Sequence, residues 1–208
     1  MVSIIQLLIL FSPSVFCLPV GESPFLPGPC PKVNPISSVD LSLYSGSWSQ
    51  VALFPNVTAP LVGHGYKPDL LCVTVKYLQE EESLKVINSG LDTETDNFVS
   101  ISGTIKKTEP NSKTGNLKLH LEESIDLPDE EYQVLATDYK SYASVWNCKE
   151  FPMLGILVRR EFAWILAREN ILSADGRMPD KLLDTAMKVY EDAGIDIRQF
   201  SVSSSDTC

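Results

Sequence analysis

Tyr44-Ser45-Gly46-Ser47-Trp48-Ser49-Gln50-Val51-Ala52-Leu53-Phe54 is the stretch on which the fold of this chain turns. A tyrosine and a glycine lead into a tryptophan, and an apolar run then ends at Pro55. Pro55 removes a backbone donor and Asn56 follows it, so a strand stops there. Taken alone, these residues leave two readings open. In one, an ordinary first strand of typical length buries a tryptophan. In the other, Gly46 lets the chain turn tightly and Trp48 plugs one end of a closed sheet. The flanking sequence has to decide.

Downstream, apolar residues recur with period two from Leu70 onward. Leu71, Val73, Val75 and Tyr77 alternate with Cys72, Thr74 and Lys76, and the acidic turn Glu80-Glu81-Glu82 follows. Leu84, Val86, Asn88 and Gly90 form the next inward set. Phe98 to Lys107 reads as a strand, and Leu117, Leu119 and Leu121 alternate with Lys118, His120 and Glu122. Residues 132–139, 142–148 and 161–169 bring the number of strands to eight, counting the opening one. The connections are short or polar, which predicts hairpins. Eight successive antiparallel strands with no helix between them predict an all-β, up-and-down barrel. Such a barrel has no exposed edge and encloses room for one small ligand. A two-sheet sandwich is the competing arrangement.

Helical signals flank this run. Residues 40–44 suit a short helical turn ahead of the first strand. After the last strand, Pro179 suits a first helical position and Asp180 complements the positive end of the helix dipole. Leu182, Leu183, Ala186, Met187 and Tyr190 share one face, and Gly194 is a natural stop. This predicts one C-terminal helix packed on the barrel's outside, followed by a final strand over residues 195–202.

The ends of the chain speak to its compartment. Met1 to Phe11 is apolar, uncharged and too short to span a bilayer. With Pro13 and the modest residues up to Cys17, it predicts a secretory signal over residues 1–17. Residues 18–39 are proline-rich and predict an extended arm, leaving 40–208 as the folded domain. A chain of 208 residues is long enough for one sizeable core. No other apolar run is long enough for a membrane-spanning helix. The net charge of −10, from 27 acidic and 17 basic residues, argues against nucleic acid and anionic membranes as partners.

Removing the signal leaves Cys30, Cys72, Cys148 and Cys208, an even number suited to an oxidising compartment and secretion. Four cysteines allow three connectivities, and spacing does not choose among them. Residues 55–69 hold Pro55, Pro60, Gly63, Gly65 and Pro68, the composition of a long binding loop. Asn56-Val57-Thr58 within it is an N-glycosylation acceptor.

Catalytic and metal motifs are missing. There is no phosphate-cradling glycine loop, no His-Glu-x-x-His, no Gly-x-Ser-x-Gly and no Cys-x-x-Cys. Of the two histidines, His64 lies in the glycine-rich loop and His120 on a polar strand face, with no nucleophile placed beside either. Asp138 reads as a turn residue and Glu80 to Glu82 as a solvated loop. The expectation is a binding protein without catalytic residues, metal site or obligatory cofactor.

At this point three motifs come together. Gly46-Ser47-Trp48 in the first strand, Thr137-Asp138-Tyr139 at the end of the sixth and Arg168 at the end of the eighth resemble the three motifs of the lipocalins. The stretches 134–143 and 162–168 are particularly similar to the apolipoprotein D-like branch, with the bilin-binding proteins, crustacyanins and Lazarillo-type lipocalins. The resemblance covers residues from about Cys30 to Cys208. Ser49 departs from it, since the family usually carries Tyr or Phe there. The acidic turn after Leu78 and residues 151–160 are individual to this chain, so ligand choice by its loops stays open.

The resemblance carries further expectations. It implies disulfides pairing Cys30 with Cys148 and Cys72 with Cys208. It implies that Trp48 and Arg168 pack together structurally at the closed end. Tyr77, Asn88, Tyr132 and Trp164 lie among apolar neighbours by alternation, and the matching residues of the family line its pocket. The function implied is a secreted carrier of a sterol, fatty acid or related lipid. A pigment carrier holding biliverdin or a carotenoid is the alternative. A lipocalin-type enzyme is a third class, and it needs a free pocket cysteine. Crustacyanin-like subunits associate, yet no heptad is readable here, and the oligomeric state is left open.

Overall fold

The sheet begins at Gly46, whose backbone sits at φ +102°, a conformation that L side chains rarely adopt. In this computed structural model, residues 25–54, 70–109, 114–122 and 129–203 are described. Just before Gly46, the Asp40 carboxylate accepts from the amides of Ser42 and Leu43 and so caps helix α1, Leu41–Tyr44. Eight strands follow: β1 Gly46–Phe54, β2 Leu70–Glu80, β3 Ser83–Asp92, β4 Asn97–Lys107, β5 Asn116–Leu121, β6 Glu130–Thr137, β7 Tyr142–Met153 and β8 Ile156–Ala167. Each pairs antiparallel with the next, and β1 pairs with β8 to close the ring. The architecture is the closed eight-strand antiparallel barrel.

Closure explains the alternation. One set of side chains fills the interior, where Trp48, Tyr77, Leu84, Val86, Ile105 and Val145 are buried. The other set faces solvent, except where α2, Asp180–Asp192, lies over β6 and β7 with Tyr190 reaching β8, and where the terminal arms cover part of the outer face. There Ala186 and Tyr190 are fully buried, and the Tyr190 hydroxyl lies 2.9 Å from the carbonyls of both Val145 and Trp164. Ala143 to Cys148 is therefore buried on both faces, including the polar Ser144 and Asn147. Leu26–Pro27 adds a short pairing to β8, Cys30 is disulfide-bonded to Cys148, and the Ile36 amide donates to the Val134 carbonyl. The chain-entropy view values a loop of 118 residues at about 5 kcal/mol.

Several sequence expectations need correction. The stretch 149–160 is not a loop: β7 and β8 continue as one long hairpin whose turn is Leu154–Gly155. Both turn residues have positive φ, 50° and 81°, the mirror-image turn that matches strand twist. Pro152 hid this hairpin from a sequence reading. It is tolerated because it lies beyond the residues of β7 in register with β6.

The final strand is also shorter than expected. Residues 197–199 form a 3₁₀ turn, and only Ser201–Val202 pairs, with Leu53 and Ala52. Phe200 turns inward instead, its ring 5.0 Å from Tyr190 and 5.3 Å from Phe54. Strand β6 ends at Thr137, leaving Asp138 and Tyr139 in a turn. Pro179 caps α2 rather than opening it, its carbonyl accepting from Leu182 and Leu183. Strand β2 carries an irregularity at Cys72, φ 55°, so alternation shifts between Leu71 and Thr74.

Candidate functional site: the barrel cavity

The cavity is built from its floor upward. Trp48 is fully buried at the narrow end, its indole N–H donating to the Tyr44 carbonyl at 2.9 Å. The Arg168 guanidinium lies 3.7 Å over the Trp48 ring, a cation–π contact. Its three nitrogens donate to the carbonyls of Tyr139, Ser47 and Leu43 at 3.1, 3.1 and 2.9 Å. A side chain at position 46 would start 2.9 Å from Arg168 Nη1 and displace the guanidinium, on top of the strain of the positive φ that glycine accommodates.

The turn that supplies the Tyr139 carbonyl is itself tightly bonded. Asp138 accepts from the amides of Lys140, Ser141 and Tyr142, and Thr137 donates to the Tyr142 carbonyl. Burial pushes the Asp138 carboxyl up, but those hydrogen bonds outweigh it and hold the group below the ordinary carboxylate range. Arg168 thus ties α1, β1 and the β6–β7 turn into one floor.

Above that floor stand three phenols. The Tyr132 hydroxyl is 2.9 Å from that of Tyr44 and 2.6 Å from that of Tyr77. Burial pushes all three well above the ordinary tyrosine value, so they are protonated at neutral pH. Higher up the walls are aliphatic, with Val75, Val86, Ile101, Ile105 and Leu119 among them. The void, including its mouth open to solvent, spans about 860 Å³.

All four residues expected at a ligand site, Tyr77, Asn88, Tyr132 and Trp164, line this one cavity. Asn88 Oδ1 is buried with no hydrogen-bond partner among the described residues. Trp164 stacks on Phe162 with ring centroids 6.1 Å apart. Gly46, Trp48, Thr137, Asp138, Tyr139 and Arg168 lie at or beneath the floor, away from the mouth.

Sequence reasoning missed the part played by Tyr44, and missed Gln50, Glu130 and Phe162, which also line the cavity. Phe162 and Glu130 were within reach, since each lies two residues before a selected position on the same strand face. Near the open end Glu130 pairs with Arg160 at 2.9 Å, both largely buried, and the guanidinium lies 5.5 Å from the Phe162 ring. Tyr44 gave no strand signal because it ends a helical turn.

Cys72 is disulfide-bonded. Its expected partner Cys208, the acceptor Asn56, the loop 55–69 and the signal over 1–17 lie outside the described residues. Among the described residues no helix is long and apolar enough to cross a membrane, and no cluster of three metal-ligating side chains occurs.

A closed antiparallel barrel with a plugged floor and one apolar cavity defines a small-molecule-binding barrel. The chain belongs to the lipocalin / cytosolic fatty-acid binding protein family, whose sequence model matches residues 63–176, more than half of it. It is 26% identical to apolipoprotein D of Macaca fascicularis over 87% of this chain and 85% of that protein. It is 27% identical to the bilin-binding protein of Pieris brassicae, over 79% of this chain and 84% of that one. Insecticyanin of Manduca sexta superposes with a TM-score of 0.63 at 24% identity, covering 86% of this chain and 87% of the other.

Proposed function

We propose that this protein is a secreted carrier that holds one small hydrophobic ligand, a sterol, fatty acid or related lipid, in the barrel. The observation that carries the reading is the apolar cavity inside the barrel, lined by Tyr77, Asn88, Tyr132 and Trp164 and closed below by Trp48. Burying ~300 Å² of apolar ligand surface contributes roughly 7–8 kcal/mol gross at about 25 cal/mol per Å², before the cost of immobilisation. Secretion is supported by the N-terminal signal pattern and by the Cys30–Cys148 disulfide, a bond of oxidising compartments. Carriage rather than catalysis is supported by the cysteines. Every cysteine among the described residues is disulfide-bonded, which leaves no thiolate there to act as a nucleophile.

A pigment carrier is the second reading, favoured by the likeness to a bilin-binding protein and by the stacked Phe162–Trp164 pair on the wall. Mass spectrometry of material extracted from the native protein tests both. A colourless lipid in stoichiometric amount supports the first. A visible absorption band with a bilin or carotenoid mass supports the second. Protein that neither carries nor takes up any hydrophobic molecule defeats both.

A further inference from the structure

The lower end of the cavity carries polarity that a purely apolar ligand would leave unused. Tyr44, Tyr132 and Tyr77 present three hydroxyls joined by two contacts of 2.9 and 2.6 Å. Two hydrogen bonds consume two of the three phenolic protons and leave one to donate elsewhere. Tyr77 and Tyr132 line the cavity, whereas Tyr44 is buried beneath them. On the adjacent wall Tyr77 pairs with Val86 and Val75 with Asn88. The buried, unpartnered Asn88 Oδ1 therefore stands one pleat nearer the mouth, roughly 7 Å along the strand. A donor below and an acceptor above are both neutral.

Positive charge is placed elsewhere. Arg168 lies on the far side of the Trp48 ring with its N–H groups on three backbone carbonyls. Arg160, towards the mouth, is engaged by Glu130. No lysine, arginine or histidine occurs among the described residues that line the cavity. A carboxylate lowered to the tyrosines would be a buried charge that meets only the field of Arg168, whose N–H groups are already held by three backbone carbonyls. An alcohol or carbonyl oxygen accepts a phenolic proton without that desolvation cost.

We propose that the cavity selects neutral lipids that enter polar end first, long-chain or polycyclic alcohols and ketones, over free carboxylates. The hydroxyl or carbonyl oxygen docks on the Tyr77–Tyr132 hydroxyls, and a second donor on the ligand, where present, meets Asn88. This inference rests on the carrier reading above and narrows its ligand class.

The test titrates the full mature chain with dodecan-1-ol, dodecanoate and dodecane at neutral pH, following the tryptophan quenching that Trp164→Phe abolishes. The alcohol is expected to bind at least about tenfold tighter than either companion, the worth of one well-made buried hydrogen bond. In Y77F/Y132F the alcohol should fall to the level of the alkane. An unchanged alkane affinity there also shows that the barrel has folded. If the double variant does not fold, Y77F alone must lower the alcohol's affinity about threefold or more without moving that of dodecane.

Dodecanoate binding as tightly as the alcohol overturns the proposal, as does an alcohol preference that survives the loss of both hydroxyls. Equal binding of all three probes sinks the selectivity and leaves the carrier intact. A protein that takes up none of them loses the carrier reading, and the proposal falls with it.

Discussion

Arg168 shows how much one side chain can organise. Its guanidinium meets three carbonyls from three separate segments and covers the Trp48 ring. Charge-assisted hydrogen bonds are the strong ones, and the planar fork reaches all three acceptors at once. Arg168→Leu should keep the apolar stem but orphan the carbonyls, at about 3 kcal/mol, measured by urea unfolding. Ligand affinity of the folded fraction should hardly change, because Trp48 separates the guanidinium from the cavity. Loss of binding in a still-folded variant would move Arg168 from the scaffold into the site. The Trp–Arg partnership was legible through the family motifs. The Tyr44 hydroxyl's place in the cluster was not, since it depends on β6 arriving from 88 residues away.

Among elements, the β6–β7 turn and α2 make the sharpest statements. Asp138 is held below its ordinary carboxylate value, so the unfolded chain binds its proton first as pH falls. Its stabilisation is complete at neutral pH, starts to be lost near the ordinary carboxylate value of about 4, and disappears as pH falls through the folded-state value. The urea midpoints of wild type and Asp138→Asn should therefore differ at neutral pH and converge in that acid window. A constant gap would mean that the carboxylate is not what the turn amides favour.

Helix α2 makes the second element-scale case. Tyr190→Phe removes the hydroxyl that reaches two strand carbonyls beneath the helix. It should cost about 1–2 kcal/mol in thermal or urea unfolding with the barrel otherwise intact. The helix itself was readable because five apolar residues recur on one face. The long β7–β8 hairpin was not, because Pro152 and a non-glycine residue at positive φ mimic a loop in one dimension.

For the molecule as a whole, burial raises Tyr44, Tyr77, Tyr132 and Tyr190 above the ordinary tyrosine value. A raised value in the folded state means stability that is full below the unfolded value, about 10, and drains away as pH climbs beyond it. Tyrosinate absorbance should show these four phenols resisting ionisation until the barrel unfolds, then titrating together with the loss of circular dichroism. Smooth ionisation near the ordinary value in native protein would show that water reaches the cluster.

The sequence by itself determined the succession of strands, the outer helix and most of the residues that face inward. Those features follow from local periodicities of two and 3.6, which are written along the chain and survive being read in one dimension. Only the tertiary structure decided what the inward residues do together. Closing β1 onto β8 and laying β6 across from β2 brought three distant tyrosines within hydrogen-bonding reach. It also left the Asn88 Oδ1 facing an apolar cavity, and it set Arg168 beneath the Trp48 floor and Arg160 near the mouth. Strand register sets these distances, and register is a property of the closed sheet rather than of any segment in it.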